Sequence, residues 1–346
     1  MKKVLMPLFL ILTISVSIRA QNVSKLYNKV IPSVVTIMIE QKEVVTDYAT
    51  MSKAMATTSG LGSGVIISES GEIMTAAHVI EAAETVKVRL INGEEISAKV
   101  ITSNKDADVA LIKLLWPPKE PLTVAPVADS EKVSTGDKVI VIGAPLGLEH
   151  SLSVGYISGR MANNGISDNF THIEYFQTDA AINHGNSGGP MFNMKGEVVG
   201  IVSFILSESG GFEGIGFAVT SNVAKNELLG TQSFWFGIGF ESIAGDIAKI
   251  FNLPQDMGLL VQKVATNSPA DIAGLRPGIY QMNLEGMPLM VGGDIILKIG
   301  EFEITPDMNR NLFRKKMGEV KPNTAIPMKV LRGGEIIELM VIAPRQ

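Results

Sequence analysis

Three short segments carry residue types that could do chemistry together. Thr75-Ala76-Ala77-His78-Val79 puts an imidazole at the end of an apolar strand. Asp106-Ala107-Asp108-Val109-Ala110-Leu111-Ile112 leads a carboxylate directly into a buried-looking strand. Gly185-Asn186-Ser187-Gly188-Gly189-Pro190 surrounds one serine with three glycines. Alone, each has an ordinary reading: a structural histidine, a solvated strand start, a tight turn. Phosphate binding at the glycine loop is disfavoured because the Gly-Lys-Ser/Thr ending is missing. Together the segments supply a nucleophile, a base and an orienting acid. A serine hydroxyl is weak at its own pKa; a neutral imidazole takes its proton, and a buried carboxylate fixes the tautomer and stabilises the imidazolium. The chain order His78, Asp108, Ser187 differs from the Asp-His-Ser and Ser-acid-His orders of two other serine hydrolase folds. The glycines have a physical role as well. Backbone N–H groups of Gly185 and Ser187, helped by Asn186, must converge on the oxyanion of a tetrahedral intermediate, and a residue without Cβ at 185 is best able to make that turn. One base suffices, so His184 reads as a loop side chain, and His150 and His172 have no partner visible in the sequence.

The elements that must position these residues are short strands. Val34 to Glu40 is rich in β-branched residues and follows a short helix from Asn22 to Ile31 that Pro32 stops, whereas residues 41 to 60 lose all periodicity and read as a mobile surface loop. Strands follow at Gly64 to Ser68, Thr85 to Leu90, Ile96 to Ser103, Val109 to Leu114, Lys138 to Ile142, Val154 to Gly159, Met191 to Asn193, Val198 to Ser203 and Gly216 to Val219. Asn92-Gly93 and Lys195-Gly196 are hairpin signals between them. Many short strands with few helices argue for antiparallel barrels or sandwiches. The texture changes near residue 221, which places a boundary at 230. From 231 to 346 the pattern is a small α+β module of five or six strands with helices at Gly245 to Asn252, Pro269 to Ala273 and Met308 to Met317, ending in a hairpin around Arg332-Gly333-Gly334-Glu335.

Composition narrows the chemistry further. The 346 residues include no Cys, which removes thiol nucleophiles, disulfides and thiolate metal sites, and four His without metal-ligand spacing leave serine chemistry needing no metal or cofactor. A net charge of −5 with no basic cluster makes nucleic acid a poor partner. Residues 1 to 20 open with Lys2 and Lys3, run apolar from Val4 to Ile18 and reach Ala20 before Gln21, which reads as a secretory signal peptide with an imperfect cleavage site. An uncleaved anchor is the rival reading; the run is short for a span and holds Pro7, Thr13, Ser15 and Ser17. No other stretch reaches spanning length, so stable membrane insertion is not expected.

Thr-Ala-Ala-His-Val, Asp-Val-Ala-Leu-Ile-Lys, Gln177 to Asn183 running into Gly-Asn-Ser-Gly-Gly-Pro, and Gly214-Ile215-Gly216-Phe217-Ala218-Val219 resemble the HtrA/Deg family of trypsin-like serine proteases. The resemblance covers nearly the whole chain after the leader. It implies a mainly β protein, with a chymotrypsin-like double six-stranded β-barrel over 21–230 and a small α+β PDZ domain over 231–346. It also implies an exported, periplasmic, ATP-independent endopeptidase acting on unfolded or damaged proteins in quality control and stress response, assembled as a homotrimer. The triad carries over to His78, Asp108 and Ser187, and the primary pocket to Ile182, Ile205 and Leu206. All three are aliphatic and Ala181 stands where a trypsin-type acid would be, so cleavage after small or medium apolar residues is expected. Digestive relatives carry Asp before the serine; Asn186 cannot form that ion pair, so activation is expected through ordering of loops at 161–172 and 203–213. The peptide-carboxylate loop maps to Trp235-Phe236-Gly237-Ile238, preferred over the register Gly237 to Phe240 because Phe236, Ile238 and Phe240 then alternate along the next strand. Residues 279–291 exceed the usual family turn, and their Met and Leu either cover the core or face a partner. A proteolytically dormant chaperone or scaffold on the same fold is the alternative function.

Overall fold

The computed structural model describes residues 22–343, apart from 48–51, 82, 145–149, 163–172, 184, 208, 210, 231–234 and 285–286. The leader, His172, His184 and most of the 161–172 segment thus lie outside the described residues. Helix α1 (Val23–Val30) starts where the Asn22 side chain accepts the Lys25 N–H at 3.1 Å, and it buries Leu26 and Val30.

Two closed antiparallel barrels follow. The first contains β1 (Val34–Asp47), β2 (Ser52–Ile66), β3 (Glu72–Thr75), β4 (Thr85–Arg89), β5 (Glu95–Asn104) and β6 (Val109–Leu114), closed in the order β1-β2-β3-β6-β5-β4. The second contains β7 (Lys138–Gly143), β8 (Ser151–Ala162), β9 (Glu174–Thr178), β10 (Pro190–Asn193), β11 (Val198–Ile205) and β12 (Gly216–Thr220), closed as β10-β11-β12-β9-β8-β7. Closure pairs every strand on both sides and removes sheet edges. The strand pattern of the sequence did not single out β9. Val35, Ile37, Ile73 and Ile112 fill the first barrel, and Val139, Phe176, Val202 and Ala218 the second. A separate cluster joins them: Val65, Met74 and Leu111 of the first barrel pack with Ile140, Phe192 and Ile201 of the second. Helix α3 (Ser221–Leu229) adds Val223, Ala224 and Leu228 to this seam.

The expected loop at 41–60 is overturned. Strands β1 and β2 stay paired from Val34↔Val65 out to Asp47↔Ser52, a ribbon running beyond the barrel. Residues 56–61 include no buried side chain, so burial selects no alternating apolar pattern there, while the backbone pairing continues.

The third sheet has the order β13 (Ile238–Ala244), β14 (Met257–Val264), β17 (Ile295–Ile299), β19 (Ala325–Arg332), β20 (Glu335–Ile342), with β18 (Phe302–Glu303) on β17. Its helices are α4 (Gly245–Ile250), α5 (Pro269–Ile272) and α6 (Arg310–Gly318). Helix α6 starts beyond Met308 because the Asn309 side chain caps it, accepting the Leu312 N–H at 2.9 Å. The long segment forms a hairpin of β15 (Tyr280–Leu284) and β16 (Met287–Val291). Leu289 covers the core, buried with Ile243, Leu260, Ile295, Leu297 and Leu331, while Tyr280 and Met282 are exposed. Leu289→Ala should therefore lower the stability of this sheet by about 2–4 kcal/mol. Denaturant unfolding in a Trp116→Phe background, which leaves Trp235 as the sole tryptophan, measures it; an unchanged midpoint would mean that the hairpin is not anchored by Leu289.

Candidate active site

His78 lies on α2 (Ala77–Ile80), one helical turn that follows β3. Asp108 ends the turn leading into β6, and Ser187 stands in the loop before β10. Two of the three thus come from the first barrel and one from the second, so their relation depends on the seam. The structure brings all three together, lining one cleft of 590 Å³.

Asp108 has φ +51°, a conformation that costs a non-glycine residue energy and persists only where its surroundings impose it. Its own N–H donates to Lys105 O at 3.1 Å, and Asn104 Oδ1 accepts the Ala107 N–H at 3.2 Å. Asn104 is itself held by Glu227 of α3 at 2.7 Å. The carboxylate thereby faces three donors: the His78 backbone N–H at 3.0 Å, His78 Nδ1 at 2.9 Å from each oxygen, and the Ser203 hydroxyl. Sequence reasoning passed over Ser203; the available signal was a hydroxyl at a buried position of the otherwise apolar β11. The His78 side chain is 47% exposed. Burial pulls its pKa down, but the Asp108 hydrogen bond and charge, with a smaller contribution from Glu81, overcome this and raise it above 6.5. Tyr175, in the same cleft, is pushed up to about 12 by burial and by the charges of Asp108 and Asp106, so it stays neutral and is no competing base.

The loop carrying Ser187 is packed backbone against backbone. Gly185 and Gly188 have φ +100° and +78°. A Cβ on Gly188 would lie 2.1 Å from Thr75 Oγ1 and 2.4 Å from Ser63 O, so only glycine fits. The Asn186 N–H donates to Asn183 O at 3.0 Å. The backbone donor of Asn186, expected to help receive an oxyanion, is thus engaged in closing the loop.

Ile182 and Ile205 line the cleft, and Ile182 fills the space above Gly216, where an added Cβ would come within 2.5 Å of its Cδ1. Leu206 does not join them. It is 62% exposed and outside the cleft lining, beyond the end of β11 at Ile205. Its N–H bonds to Ile215 O at 3.1 Å.

A second cavity, of 210 Å³, opens between β13 and α6. Phe236, Ile238 and Phe240 all line it, together with Leu259, Ile296 and Phe313. Trp235 also lines it, and Gly237 has φ +78° with its would-be Cβ 2.2 Å from Ser268 Cβ. The carbonyls of Phe236 and Gly237 accept from Ala270 N at 3.2 Å and Ala265 N at 2.9 Å, which fixes the loop against α5.

Residues 62–201 match the family described as the trypsin-like peptidase domain. A probable periplasmic serine endoprotease, DegP-like, of Pseudomonas putida (strain GB-1) is 39% identical over 246 residues, 69% of this chain and 50% of that protein. A DegP-like relative of Hahella chejuensis (strain KCTC 2396) is 35% identical over 286 residues, 81% of this chain and 56% of its own length. The chain spans about half the length of the curated relatives it matches. Among solved structures, the HtrA-type protease AlgW with tripeptide matches with a TM-score of 0.52 at 28% identity, over 94% of this chain and 98% of that one. The matched peptidase span takes in His78, Asp108 and Ser187, and the similarity to an HtrA-type protease structure extends over 94% of this chain.

Proposed function

We propose that this chain is an exported, periplasmic, ATP-independent serine endopeptidase acting on unfolded or damaged proteins. In this reading residues 21–230 form the protease domain and 231–346 a peptide-binding PDZ domain. The observation that carries it is the His78–Asp108 pair at 2.9 Å opening onto the same cleft as Ser187. Ser187 Oγ attacks the scissile carbonyl and its proton passes to His78 Nε2. Asp108 holds Nδ1–H and stabilises the imidazolium, and the N–H groups of Gly185 and Ser187 receive the oxyanion. The imidazolium then protonates the departing amine. Water, deprotonated by the same imidazole, releases the acyl group. Ile182 and Ile205 give the acyl side an apolar pocket suited to Val or Ala. For the third sheet, β13 is an edge strand beside an apolar groove, the arrangement that takes an extended peptide by strand addition, with the Trp235–Ile238 loop at the end where a terminal carboxylate would be held. A homotrimer is proposed from the family resemblance.

A fluorophosphonate probe should label the wild type but not Ser187→Ala, and casein should be degraded by the first alone. Folded wild type that neither labels nor cleaves would instead favour a binding protein on this fold. Because the base must be neutral and the His78 pKa is raised, kcat/KM should climb with pH through a midpoint above 6.5. Asp108→Asn removes the two larger raising influences and leaves that of Glu81, so the midpoint should fall while kcat drops by about 10⁴-fold. Calorimetric titration with peptides should show that amidating the terminal carboxylate weakens binding at the β13 groove; equal affinity for acid and amide would remove the role given to the Trp235–Ile238 loop.

A further inference from the structure

We propose that the cleft carries a second acyl-side subsite, an aromatic ledge of Phe204 backed by Tyr175 and Phe217, which selects a bulky aromatic side chain on the residue preceding the one in the primary pocket. The inference rests on the triad and pocket reading above. Ser203, Phe204 and Ile205 are consecutive and all line the main cleft, yet their side chains go to different places. Strand β11 shifts register against β12 between Val202 and Phe204, which leaves Ser203 as the extra residue of a bulge. Regular alternation from Val202, inside the second barrel, would return Phe204 to that interior and turn Ile205 out. The shift does the reverse. Ile205 packs on the interior cluster that holds Ile182, and Phe204 packs on Tyr175 and Phe217 of the seam. The hydroxyl of the extra residue, Ser203, goes to Asp108.

The ledge is both held and open. Phe204 stacks on Phe217 with ring centroids 4.7 Å apart and planes inclined by 23°, and Tyr175 meets it edge to face at 5.4 Å. Phe217 and Tyr175 are buried, whereas Phe204 is 40% exposed and lines the cleft. A ring whose neighbours already fix it loses little freedom when a ligand covers it. Its place follows from the adjacent Ser203, which touches the carboxylate that orients His78, so the ledge lies on the His78 flank of the Ile182 and Ile205 pocket. In an extended acyl segment the side chain before the one in the pocket points the other way, and so meets the ledge. The charged groups of the cleft are already matched. Lys105 stands 3.4 Å from Glu81 and 3.0 Å from Glu241, Asp108 is bonded to His78 and Ser203, and Asp106 is engaged as well. Aromatic surface rather than charge therefore sets the preference at this subsite.

The test uses the full chain and quenched peptides with Val at the attacked residue and either Phe or Ala immediately before it. Wild type should favour Phe over Ala by about tenfold in kcat/KM, Phe204→Leu by about threefold and Phe204→Ala not at all, the scale of an aromatic contact added to buried area. Moving the Phe one residue further from the bond should forfeit the gain, because that side chain faces away from the ledge. If Phe204 only props β11 and the Ser203 bond to Asp108, its variants slow every peptide alike and the ratio stands. That result, a wild type indifferent to Phe, or a gain that follows Phe to the farther position overturns the ledge. Cleavage of the Ala peptide after Val by wild type, and its loss in Ser187→Ala, report the pocket and the triad separately, so the two readings fail independently.

Discussion

Ser63, fully buried on β2, ties the two barrels together at the catalytic loop. Its hydroxyl donates to Gly185 O at 2.7 Å and accepts the Ala144 N–H at 3.0 Å. Its backbone N–H donates to Ser187 O at 2.9 Å, and its carbonyl accepts from Thr75 Oγ1 at 2.7 Å. One residue of the first barrel is thus bonded on either side of the nucleophile, to the end of β7 and to the strand end that leads into His78. Each of these groups would cost about 1–3 kcal/mol if buried unpaired, so the seam tolerates little displacement. The glycines serve the same approach. A Cβ on Gly189 would come within 2.6 Å of Ile142 O, and one on Gly143 within 2.7 Å of Asn186 Oδ1. With no cysteine in the chain, this hydrogen-bonded seam and its apolar cluster set where Ser187 stands relative to His78.

The acid is held by a different device. Asp108 sits in the left-handed region, kept there by Asn104 and, through it, by α3. In that position its carboxylate gathers donors from α2 and β11, so the carboxylate joins the two barrels a second time. The electrostatic consequence has two opposed sides. A His pKa raised by the fold adds stability that is fully present below the unfolded value near 6.5 and is lost as pH climbs through the folded value. Proton abstraction needs the neutral imidazole, so the base becomes competent over the same range in which the pair's contribution to stability fades.

What could be read from the sequence was local. The triad segments announce themselves because residue type, glycine content and neighbouring β-branched runs all lie within a few positions of the chemistry. Buried strands such as β4 and β6 show in alternating or continuous apolar runs, and Ser268 stands beside the short helix it caps, whereas the Asn309 cap falls inside the last helix expected from the sequence. The rest depended on partners far along the chain. Ser63 meets Gly185 across 122 positions and Ser203 meets Asp108 across 95, and a serine in a strand carries no mark of either bond. The ribbon at 41–60 escaped because its sequence carries no apolar period, while its pairing is made through the backbone. Leu206 was misplaced because adjacent aliphatic residues look equivalent in composition, whereas β11 ends at Ile205 and only that residue of the two reaches the cleft.

The cleft is not a property of the barrels alone. Lys105 and Asp108 belong to one turn, closed by the Asp108 N–H on Lys105 O at 3.1 Å. At one end of that turn the ammonium is held by Phe240 and Glu241 of β13; at the other the carboxylate is held by His78 and Ser203. Three residues therefore separate the edge of the third sheet from the group that orients the base. Backbone already strained at Asp108 has few alternative conformations to absorb a shift, so the position of β13 and the geometry of the acid are parts of one hydrogen-bonded unit. That unit also accounts for the apolar groove of β13 reaching barrel residues Glu81, Lys105 and Asp106, the same three that border the cleft of Ser187.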